Sequence, residues 1–395
     1  MPPAPRQFDV IVLGAGAAGL LCAATAGQRS RRVLLLEHNP QPGRKILVSG
    51  GGRCNFTNIH CGPSNFLSEN KHFAKSALAL FHPRHFLELV QRYEIPWHEK
   101  TLGQLFCDRS ARDLLYMLLA ECELGKVELL LNARNIAVTR STSSFHVTSS
   151  IGEFTSAALV VATGGLSIPA LGATGLGYQI ARQFGLKIVE PRPALVPLVL
   201  GGAEAAWTAL AGVAAEVVAS AGSASFREKM LITHRGLSGP AILQASSYWR
   251  PGQPLTLDFA PGLPAKGAVL GSLMQPNARR DPPALRQALR EILPQRLAIH
   301  LAETGAPQRW SNPALEACER TLHRWEFHPV GTEGFAKAEV TAGGVDTDGL
   351  HARTLEARAV SGLFFVGEVV DVTGWLGGFN FQWAWASAVA AGRAV

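Results

Sequence analysis

The stretch Phe8-Asp-Val-Ile-Val-Leu-Gly14-Ala-Gly16-Ala-Ala-Gly19 decides the fold class of this 395-residue chain. Its first half, Phe8–Leu13, is a short apolar run rich in β-branched residues, which predicts a buried strand. The glycines follow as G-x-G-x-x-G, and the uncharged, alanine-rich segment Ala17–Gln28 predicts a helix directly after them. A strand, this glycine turn and a helix form the first half of a βαβ unit that binds the pyrophosphate of a dinucleotide.

Each glycine of this turn has its own physical reason. Gly14 allows the tight turn, Gly16 lets the backbone approach the pyrophosphate, and Gly19 lets the helix pack closely on the strand. The phosphates are then expected at the helix N-terminus, beside Ala17 and Ala18, because free N–H groups and the helix dipole favour negative charge there.

An acidic residue completes the motif. The segment Arg32–Glu37 predicts a second strand, and Glu37 ends it, 18 residues after Gly19. A carboxylate at that place accepts hydrogen bonds from the hydroxyls of the adenosine ribose. The strand, the helix and the acid together favour dinucleotide binding over a purely structural glycine turn.

Composition supports an α/β enzyme. The chain is 47% hydrophobic, which excludes disorder of the whole chain, and its net charge of +7 gives only a mild attraction for phosphate-rich partners. The 6 cysteines form no C-x-x-C pair, so we predict reduced thiols and no metal site. No signal-peptide core is present, and glycines interrupt the uncharged run Val10–Gly27, so a cytoplasmic protein without a membrane span is expected.

The strand-and-glycine pattern returns near the C-terminus. Further strands are predicted at Lys126–Leu131, Ala158–Ala162 and Gly362–Glu368, with a helix at Gly175–Phe184 and an apolar helix at the end. We therefore predict one discontinuous domain, residues 1–195 and 336–395, interrupted after a proline-dense hinge by an insert over residues 196–335. The insert is predicted to be β-rich over about 196–265 and helical over about 266–330.

A second glycine-rich segment, Gly43–Asn58 (GRKILVSGGGRCNFTN), favours FAD over NAD. A long loop directly after the second strand is unusual in NAD enzymes, whereas in two-dinucleotide-type flavoproteins it wraps the pyrophosphate and the ribityl chain. Arg44 or Lys45 could offset phosphate charge, and the backbone of Gly50–Gly52 could approach the isoalloxazine because no Cβ stands in the way. The predicted cofactor-binding residues of this segment are Arg44, Lys45, Ser49, Gly50, Gly51, Gly52 and Asn55.

Five stretches of the sequence resemble motifs of the BaiN/YhiN-like family of bacterial flavoproteins. They are GAGAAG, GRKILVSGGGRCNFTN, Ile232–Gln244 (ITHRGLSGPAILQ), and Val340–Asp346 together with Gly367–Gln382. The resemblance covers nearly the whole chain. It implies a Rossmann-like FAD-binding domain of glutathione-reductase type, interrupted by an insert with a β-barrel part and a helical part. It also implies an FAD-dependent oxidoreductase, with substrates that range within the family from steroid-like enones to the uracil ring in ribosomal RNA.

The last helix is predicted to begin beside the flavin. Gly378, Phe379 and Asn380 open this helix, and the alternative interpretation is a packed C-terminal helix with a glycine cap. A helix N-terminus aimed at the flavin C2=O would stabilise the negative charge that the reduced flavin carries. We predict that backbone N–H groups of these three residues have that role.

Other cofactor contacts are predicted where strands end. Thr163 and Gly164 follow the strand Ala158–Ala162, at a place where the chain often crosses beside FAD. Gly367 and Glu368 close the strand near the C-terminus. Glu368 or Asp371 is predicted to contact the ribityl hydroxyls or a phosphate-bound water.

Two residues are weak candidates for catalysis, and each has a plainer interpretation. Cys54 could face the flavin or the substrate, although a small packed residue is the favoured interpretation. His234, in the insert motif THRGLSGP, contacts the substrate or makes a structural hydrogen bond. The chain has neither a second G-x-G-x-x-G nor a dithiol pair, so NAD(P)H is predicted to bind transiently as the electron donor.

Three functions stay open from the sequence. The first is an FAD-dependent oxidoreductase that reduces an activated C=C bond of a small molecule by hydride transfer from flavin N5. The second is an RNA-modifying flavoenzyme that reduces uridine to dihydrouridine in ribosomal RNA. The excess of basic over acidic residues mildly favours this function. The third is a non-catalytic FAD-binding protein that senses redox state. No membrane partner is expected, and the sequence carries no signal for the oligomeric state.

Overall fold

A seven-stranded mixed sheet forms the centre of the larger of two units in the computed structural model, which describes residues 5–395. This larger unit is built from the residues up to Arg192 together with Val340–Val395. The smaller unit, Pro193–Glu339, lies between these two segments in the sequence.

The first segment of the larger unit contains eleven strands and six α-helices among the described residues. The strands are β1 (Arg6–Leu13), β2 (Val33–Leu36), β3 (Asn55–Asn58), β4 (Phe66–Leu67), β5 (Trp97–Glu99), β6 (Gln104–Cys107), β7 (Glu128–Leu130), β8 (Ala137–Arg140), β9 (Phe145–Ser149), β10 (Gly152–Val161) and β11 (Ile188–Ala194). The helices are α1 (Ala17–Gly27), α2 (Arg44–Val48), α3 (Lys75–Leu80), α4 (Pro83–Arg92), α5 (Ala111–Leu124) and α6 (Leu176–Gln183).

The smaller unit combines a sheet with helices. Its strands are β12 (Leu198–Val199), β13 (Ala214–Ala221), β14 (Ala224–Ile232), β15 (Gly236–Ser238), β16 (Leu255–Asp258), β17 (Trp325–Phe327) and β18 (Gly331–Thr332). They pair antiparallel in the order β17-β16-β13-β14-β15-β12-β18. Its helices are α7 (Pro240–Ser246), α8 (Gly271–Met274), α9 (Pro282–Arg290), α10 (Gln295–Thr304) and α11 (Asn312–His323). Buried Trp207 contacts the rings of Phe259, Trp325 and Phe327 in its core.

The chain then returns to the larger unit. Its last segment contains β19 (Val340–Val345), β20 (Leu363–Phe365), β21 (Thr373–Gly374) and α12 (Phe379–Ala394). Helix α12 packs against α1, and its two tryptophans fix it to other segments. The Trp385 indole donates a hydrogen bond to the Phe56 carbonyl at 2.8 Å, and the Trp383 indole donates to the Gly367 carbonyl at 3.0 Å.

The central sheet has the order β7-β2-β1-β10-β9-β8, and β20 also pairs with β10. Strands β7, β2, β1, β10 and β20 run parallel, whereas β9 and β8 are antiparallel additions. Every residue of β2 and of β20 is buried, as expected for parallel strands covered on both faces. The predicted α/β fold class with a Rossmann-like parallel sheet is confirmed.

Strand register brings the predicted motifs to one edge of this sheet. Leu13 pairs with Leu36 and with Val161, and Val161 pairs with Phe365. Four parallel strands therefore end at the same level, and the residues that follow them lie side by side. In open α/β sheets, ligands bind outside this carboxyl edge.

The prediction of one long glycine-rich loop over residues 43–58 is wrong. Gly43 has a left-handed φ of 66° and precedes the short helix α2, whose apolar Ile46 is buried. Strand β3 then begins at Asn55 and pairs with β6. Only the glycine turn between them is loop-like, because the RKILV segment gains apolar burial as a helix.

Candidate dinucleotide-binding site

The glycine turn after β1 is tightly packed on one side and open on the other. A Cβ at Gly14, where φ is 100°, would lie 2.6 Å from the Ala162 carbonyl oxygen, and a Cβ at Gly19 would lie 1.8 Å from the Gly14 oxygen. At Gly16, in contrast, no described heavy atom lies within 4 Å of the Cβ position. Two glycines therefore permit backbone packing, whereas Gly16 leaves space directly before the N-terminus of α1.

Glu37 ties the end of β2 to this turn. Its buried carboxylate accepts a hydrogen bond from the Ala15 N–H at 2.8 Å. The other carboxylate oxygen accepts from both the backbone and side-chain nitrogens of Asn39 at 2.9 Å. The His38 ring nitrogen Nδ1 also lies 3.2 Å from that second oxygen. The oxygen that accepts from Ala15 has no other partner among the described residues, so it keeps one lone pair for a ribose hydroxyl.

A polar network connects four segments at the carboxyl edge of the sheet. The Lys45 ammonium on α2 lies 2.6 Å from a Glu368 carboxylate oxygen and 2.7 Å from the Ser167 hydroxyl. The second Glu368 oxygen accepts hydrogen bonds from the Ser167 hydroxyl and the Thr341 N–H, both at 2.9 Å. Lys45 and Glu368, predicted as separate cofactor contacts, are thus partners in an ion pair.

Arg44 is also engaged by protein groups. Its guanidinium donates to the Asn39 side-chain oxygen at 2.9 Å and to the Leu171 carbonyl at 3.0 Å. Both cations predicted to offset phosphate charge therefore already have partners. The N–H groups at the start of α1 are the better candidates for that role.

The turn between α2 and β3 has left-handed backbone throughout its glycines. Gly50, Gly51 and Gly52 have φ values of 55°, 67° and 83°. Cys54, which follows them, is fully buried, and burial raises the pKa of its thiol. The thiol is therefore protonated at neutral pH, which favours the interpretation of a packed residue.

Two polar residues beside this turn, Ser49 and Asn55, differ in whether all their polar atoms have hydrogen-bond partners. The Ser49 hydroxyl donates to the Ile46 carbonyl at 2.7 Å and so ends α2. The Asn55 amide donates to the Gln104 side-chain oxygen at 2.9 Å, but its own Oδ1 is buried without a partner among residues 5–395.

The start of α12 is held by side chains of its own first turn. Gly378 has a φ of 95°, and a Cβ there would lie 2.4 Å from the Thr57 oxygen. The Asn380 side chain accepts from the Gly374 N–H at 2.8 Å and donates to the Gly374 oxygen at 2.9 Å, while buried Phe379 packs edge-on against Phe66. The side chains of Phe379 and Asn380 thus shape the turn, and any cofactor role falls to the backbone N–H groups.

Gly367 and Asp371 fix the segment after β20. The Gly367 N–H donates to the Ser387 hydroxyl at 2.9 Å, and a Cβ at Gly367 would lie 2.9 Å from that of Ala18 on α1. Asp371 accepts from the Glu69 N–H at 2.9 Å, and burial raises the pKa of its carboxyl.

Residues after β10 complete the edge, whereas His234 is not part of the larger unit. The Thr163 hydroxyl is buried without a hydrogen-bond partner in the described chain, and no described heavy atom lies within 4 Å of the Cβ position of Gly164. His234 belongs to the smaller unit, where it is exposed in the turn between β14 and β15.

These features fit a bound dinucleotide. The open side of Gly16 and the helix start suit a pyrophosphate, and the one free lone pair of the Glu37 carboxylate suits a ribose hydroxyl. The unsatisfied polar atoms of Thr163 and Asn55 are hydrogen-bonding positions for a ligand. Among residues 5–395 no cluster of His, Cys, Asp and Glu could hold a metal ion, and no helix has the length and apolar character to cross a membrane.

Sequence reasoning missed Ser167 and Thr341. Thr341 belongs to the motif VTAGGVD, but its pairing with Glu368 depends on the meeting of β19 with the end of β20. Ser167 lies in the loop after β10, where no pattern marks it. Both were unpredictable because their partners are distant in sequence.

Sheet topology and glycine turn together define a dinucleotide-binding protein of the Rossmann class. The chain matches the HI0933-like protein Rossmann domain over residues 8–394, and it belongs to this family. The resemblance to the BaiN/YhiN-like flavoproteins is thereby confirmed.

Curated relatives cover almost the same length. The chain is 49% identical over 390 residues to a ribosomal RNA dihydrouridine synthase of Escherichia coli (strain K12), with 97% of this chain and 96% of that protein aligned. It is 42% identical to the protein of the same name in Haemophilus influenzae, with 98% of each covered. A 3-dehydro-bile acid delta(4,6)-reductase of Clostridium scindens is 31% identical, over 97% of this chain and 98% of that protein.

Proposed function

We propose that this protein is an FAD-dependent oxidoreductase that reduces an activated carbon–carbon double bond, with uridine in ribosomal RNA as its substrate. The observation that carries the proposal is the 49% identity, over nearly the full length of both chains, to a ribosomal RNA dihydrouridine synthase. The C5=C6 bond of uracil is conjugated to a carbonyl, as is the double bond of a 3-oxo steroid. One chemistry therefore accounts for both kinds of relative.

The site residues divide between the two halves of FAD. The turn Gly14–Gly19 and the start of α1 would hold the pyrophosphate, and Glu37 would hold the adenosine ribose. The N–H groups of Gly378–Asn380 would face the flavin ring. Once reduced by the electron donor, bound FAD would supply a hydride to an electron-poor carbon, and the neighbouring carbon would take up a proton from solvent.

We propose NAD(P)H as the electron donor. The chain has no second G-x-G-x-x-G, which favours transient binding of the donor over a dedicated domain. We also propose a cytoplasmic location, because both the ribosomal RNA substrate and the reduced cysteines are consistent with it.

Charge supports an RNA substrate. The chain carries a net charge of +7, and in the smaller unit the exposed residues Arg290 and Arg309 have no acidic partner within the described residues. Unpaired guanidinium groups are the usual donors to phosphate oxygens. Binding that depends on such contacts weakens as salt rises, because counterions are released from the RNA.

The proposal is tested with unmodified ribosomal RNA transcribed in vitro. We expect the FAD-loaded protein, supplied anaerobically with NADH or NADPH, to form dihydrouridine, which mass spectrometry of digested nucleosides detects. RNA binding should fall steeply with added salt. Loss of dihydrouridine when FAD is removed is the control.

Reduction of a small-molecule enone is the second candidate, favoured by the 31% identical bile acid reductase. Turnover of a 3-oxo-Δ4 steroid without any dihydrouridine in the RNA would replace the first proposal by this one. A flavin that no donor reduces would reject both and leave a non-catalytic FAD-binding protein.

Replacing His234 by alanine should lower turnover without loss of FAD. The side chain is exposed and makes no hydrogen bond within the described residues, so its removal should change the free energy of unfolding by less than about 0.5 kcal/mol. Turnover and flavin content are measured on the same preparation. The matched control is His351→Ala, which removes an exposed histidine of the larger unit and should leave turnover unchanged. If His234→Ala turns over substrate as fast as His351→Ala and the wild type, His234 is no longer a candidate for substrate contact.

A further inference from the structure

Tyr178 has a buried hydroxyl that the protein itself does not satisfy. The side chain, in the first turn of α6, is 3% exposed, and its hydroxyl has no hydrogen-bond partner among residues 5–395. Leaving a buried donor unpaired is costly, so such groups in native proteins commonly face a ligand or an ordered water.

The position of α6 places this tyrosine beside the dinucleotide turn. A Cβ at Gly177 would lie 2.3 Å from the Thr163 hydroxyl oxygen and 2.7 Å from a methyl group of Val369. Thr163 in turn approaches the turn itself, because its Cα lies 3.2 Å from the Cβ position of Gly14. The first turn of α6 therefore packs against the segments that follow β10 and β20. Thr163 is itself buried and unpartnered in the described chain.

Nearby charges indicate which part of a dinucleotide this hydroxyl meets. Burial, followed by the negative charges of Glu368 and Asp371, raises the pKa of Tyr178, so the hydroxyl stays protonated and acts as a donor. Neither carboxylate accepts a hydrogen bond from it. Glu368 is paired with Lys45, so Asp371 is the carboxylate whose charge would disfavour a pyrophosphate here, whereas a neutral polyol or a ring carbonyl is compatible with it.

We infer that Tyr178 is a positioning residue whose hydroxyl donates a hydrogen bond to the neutral ribityl–isoalloxazine half of FAD, next to the Thr163 hydroxyl. This inference rests on the proposed cofactor. It assigns to the site a residue that the glycine and acidic motifs do not contain. The adenosine and pyrophosphate half is held by other residues, so the two halves of the ligand should respond differently to loss of this hydroxyl.

The test compares Tyr178→Phe with Tyr93→Phe. The Tyr93 hydroxyl donates to a Glu121 carboxylate oxygen at 2.7 Å, so it is a satisfied tyrosine in the same unit. Dissociation constants for FAD and for ADP are measured by calorimetry on deflavinated protein, together with the midpoint of thermal unfolding without ligand. ADP contains the adenosine and pyrophosphate groups but no flavin.

For Tyr178→Phe we expect FAD to bind about tenfold more weakly, ADP to bind as in the wild type, and the ligand-free midpoint to be unchanged or higher. For Tyr93→Phe we expect a lower midpoint and unchanged affinity for both ligands, because a hydrogen bond within the protein is lost.

Three results would overturn the inference. Unchanged FAD affinity in Tyr178→Phe would mean that the hydroxyl does not meet the cofactor. An equal loss of FAD and ADP affinity would mean a general disturbance of the site. A lower ligand-free midpoint, as in Tyr93→Phe, would mean that an ordered water already satisfies the hydroxyl. Failure of the wild-type protein to bind FAD would instead reject the proposed function.

Discussion

Replacing Gly16 by valine should give a folded protein that no longer retains FAD. Gly16 has a φ of −83°, which any residue adopts, and no described heavy atom lies within 4 Å of its Cβ position. The valine side chain would therefore fit the protein but occupy the space through which the backbone approaches the pyrophosphate. We expect at least a ~100-fold loss of FAD affinity, because several backbone contacts to the phosphates are lost together. Flavin absorbance per protein and the midpoint of thermal unfolding measure the two effects separately.

Gly19→Val is the matched control, because it lies in the same turn but on its packed side. A Cβ there would lie 1.8 Å from the Gly14 oxygen, so α1 could no longer pack on β1. This variant should lose roughly 3 kcal/mol or more of stability, or fail to fold. Normal flavin content in Gly16→Val would contradict the placement of the pyrophosphate at this turn.

Replacing Glu37 by alanine should reduce both stability and FAD binding. The carboxylate accepts hydrogen bonds from the Ala15 N–H and from two nitrogens of Asn39, and it is buried. Removing it leaves these donors unpaired, which should cost about 2–3 kcal/mol of the free energy of unfolding. FAD should bind at least ~10-fold more weakly, because the ribose loses its acceptor as well. Chemical denaturation and flavin titration provide the two measurements.

Glu128→Ala is a control for the loss of a carboxylate from the neighbouring strand β7. Glu128 pairs with Arg6 at the surface, so its removal should change the stability little and should leave FAD affinity unchanged. Should Glu37→Ala retain full FAD affinity despite its lower stability, Glu37 would be a structural residue only.

Much of the fold was predictable because local patterns determine it. The apolar run Phe8–Leu13, the glycines after it and the run before Glu37 each fix a strand or a turn through the residues they contain. Parallel pairing then places their ends together at one edge of the sheet. The glycine turn and its acid could therefore be predicted as neighbours from the sequence alone.

Side-chain partners could not be predicted in the same way. Lys45 and Glu368 were each predicted to face the cofactor, yet they form an ion pair across 323 positions of sequence. Nothing in either local motif indicates the other residue. The burial of the Tyr178 hydroxyl likewise depends on how α6 packs against the ends of β10 and β20. Such contacts arise only from the tertiary structure.

Strand β20 has a consequence for the order in which the chain folds. It pairs with β10 in the central sheet, but it is translated only after the whole of the smaller unit. During synthesis the emerging polypeptide therefore carries an unfinished sheet, with part of one edge of β10 uncovered. Such an edge can pair with another chain, so this nascent intermediate is prone to aggregation. Helix α12 and the partner of Lys45 follow β20 in the sequence, so the candidate dinucleotide site is completed only after the smaller unit has been translated.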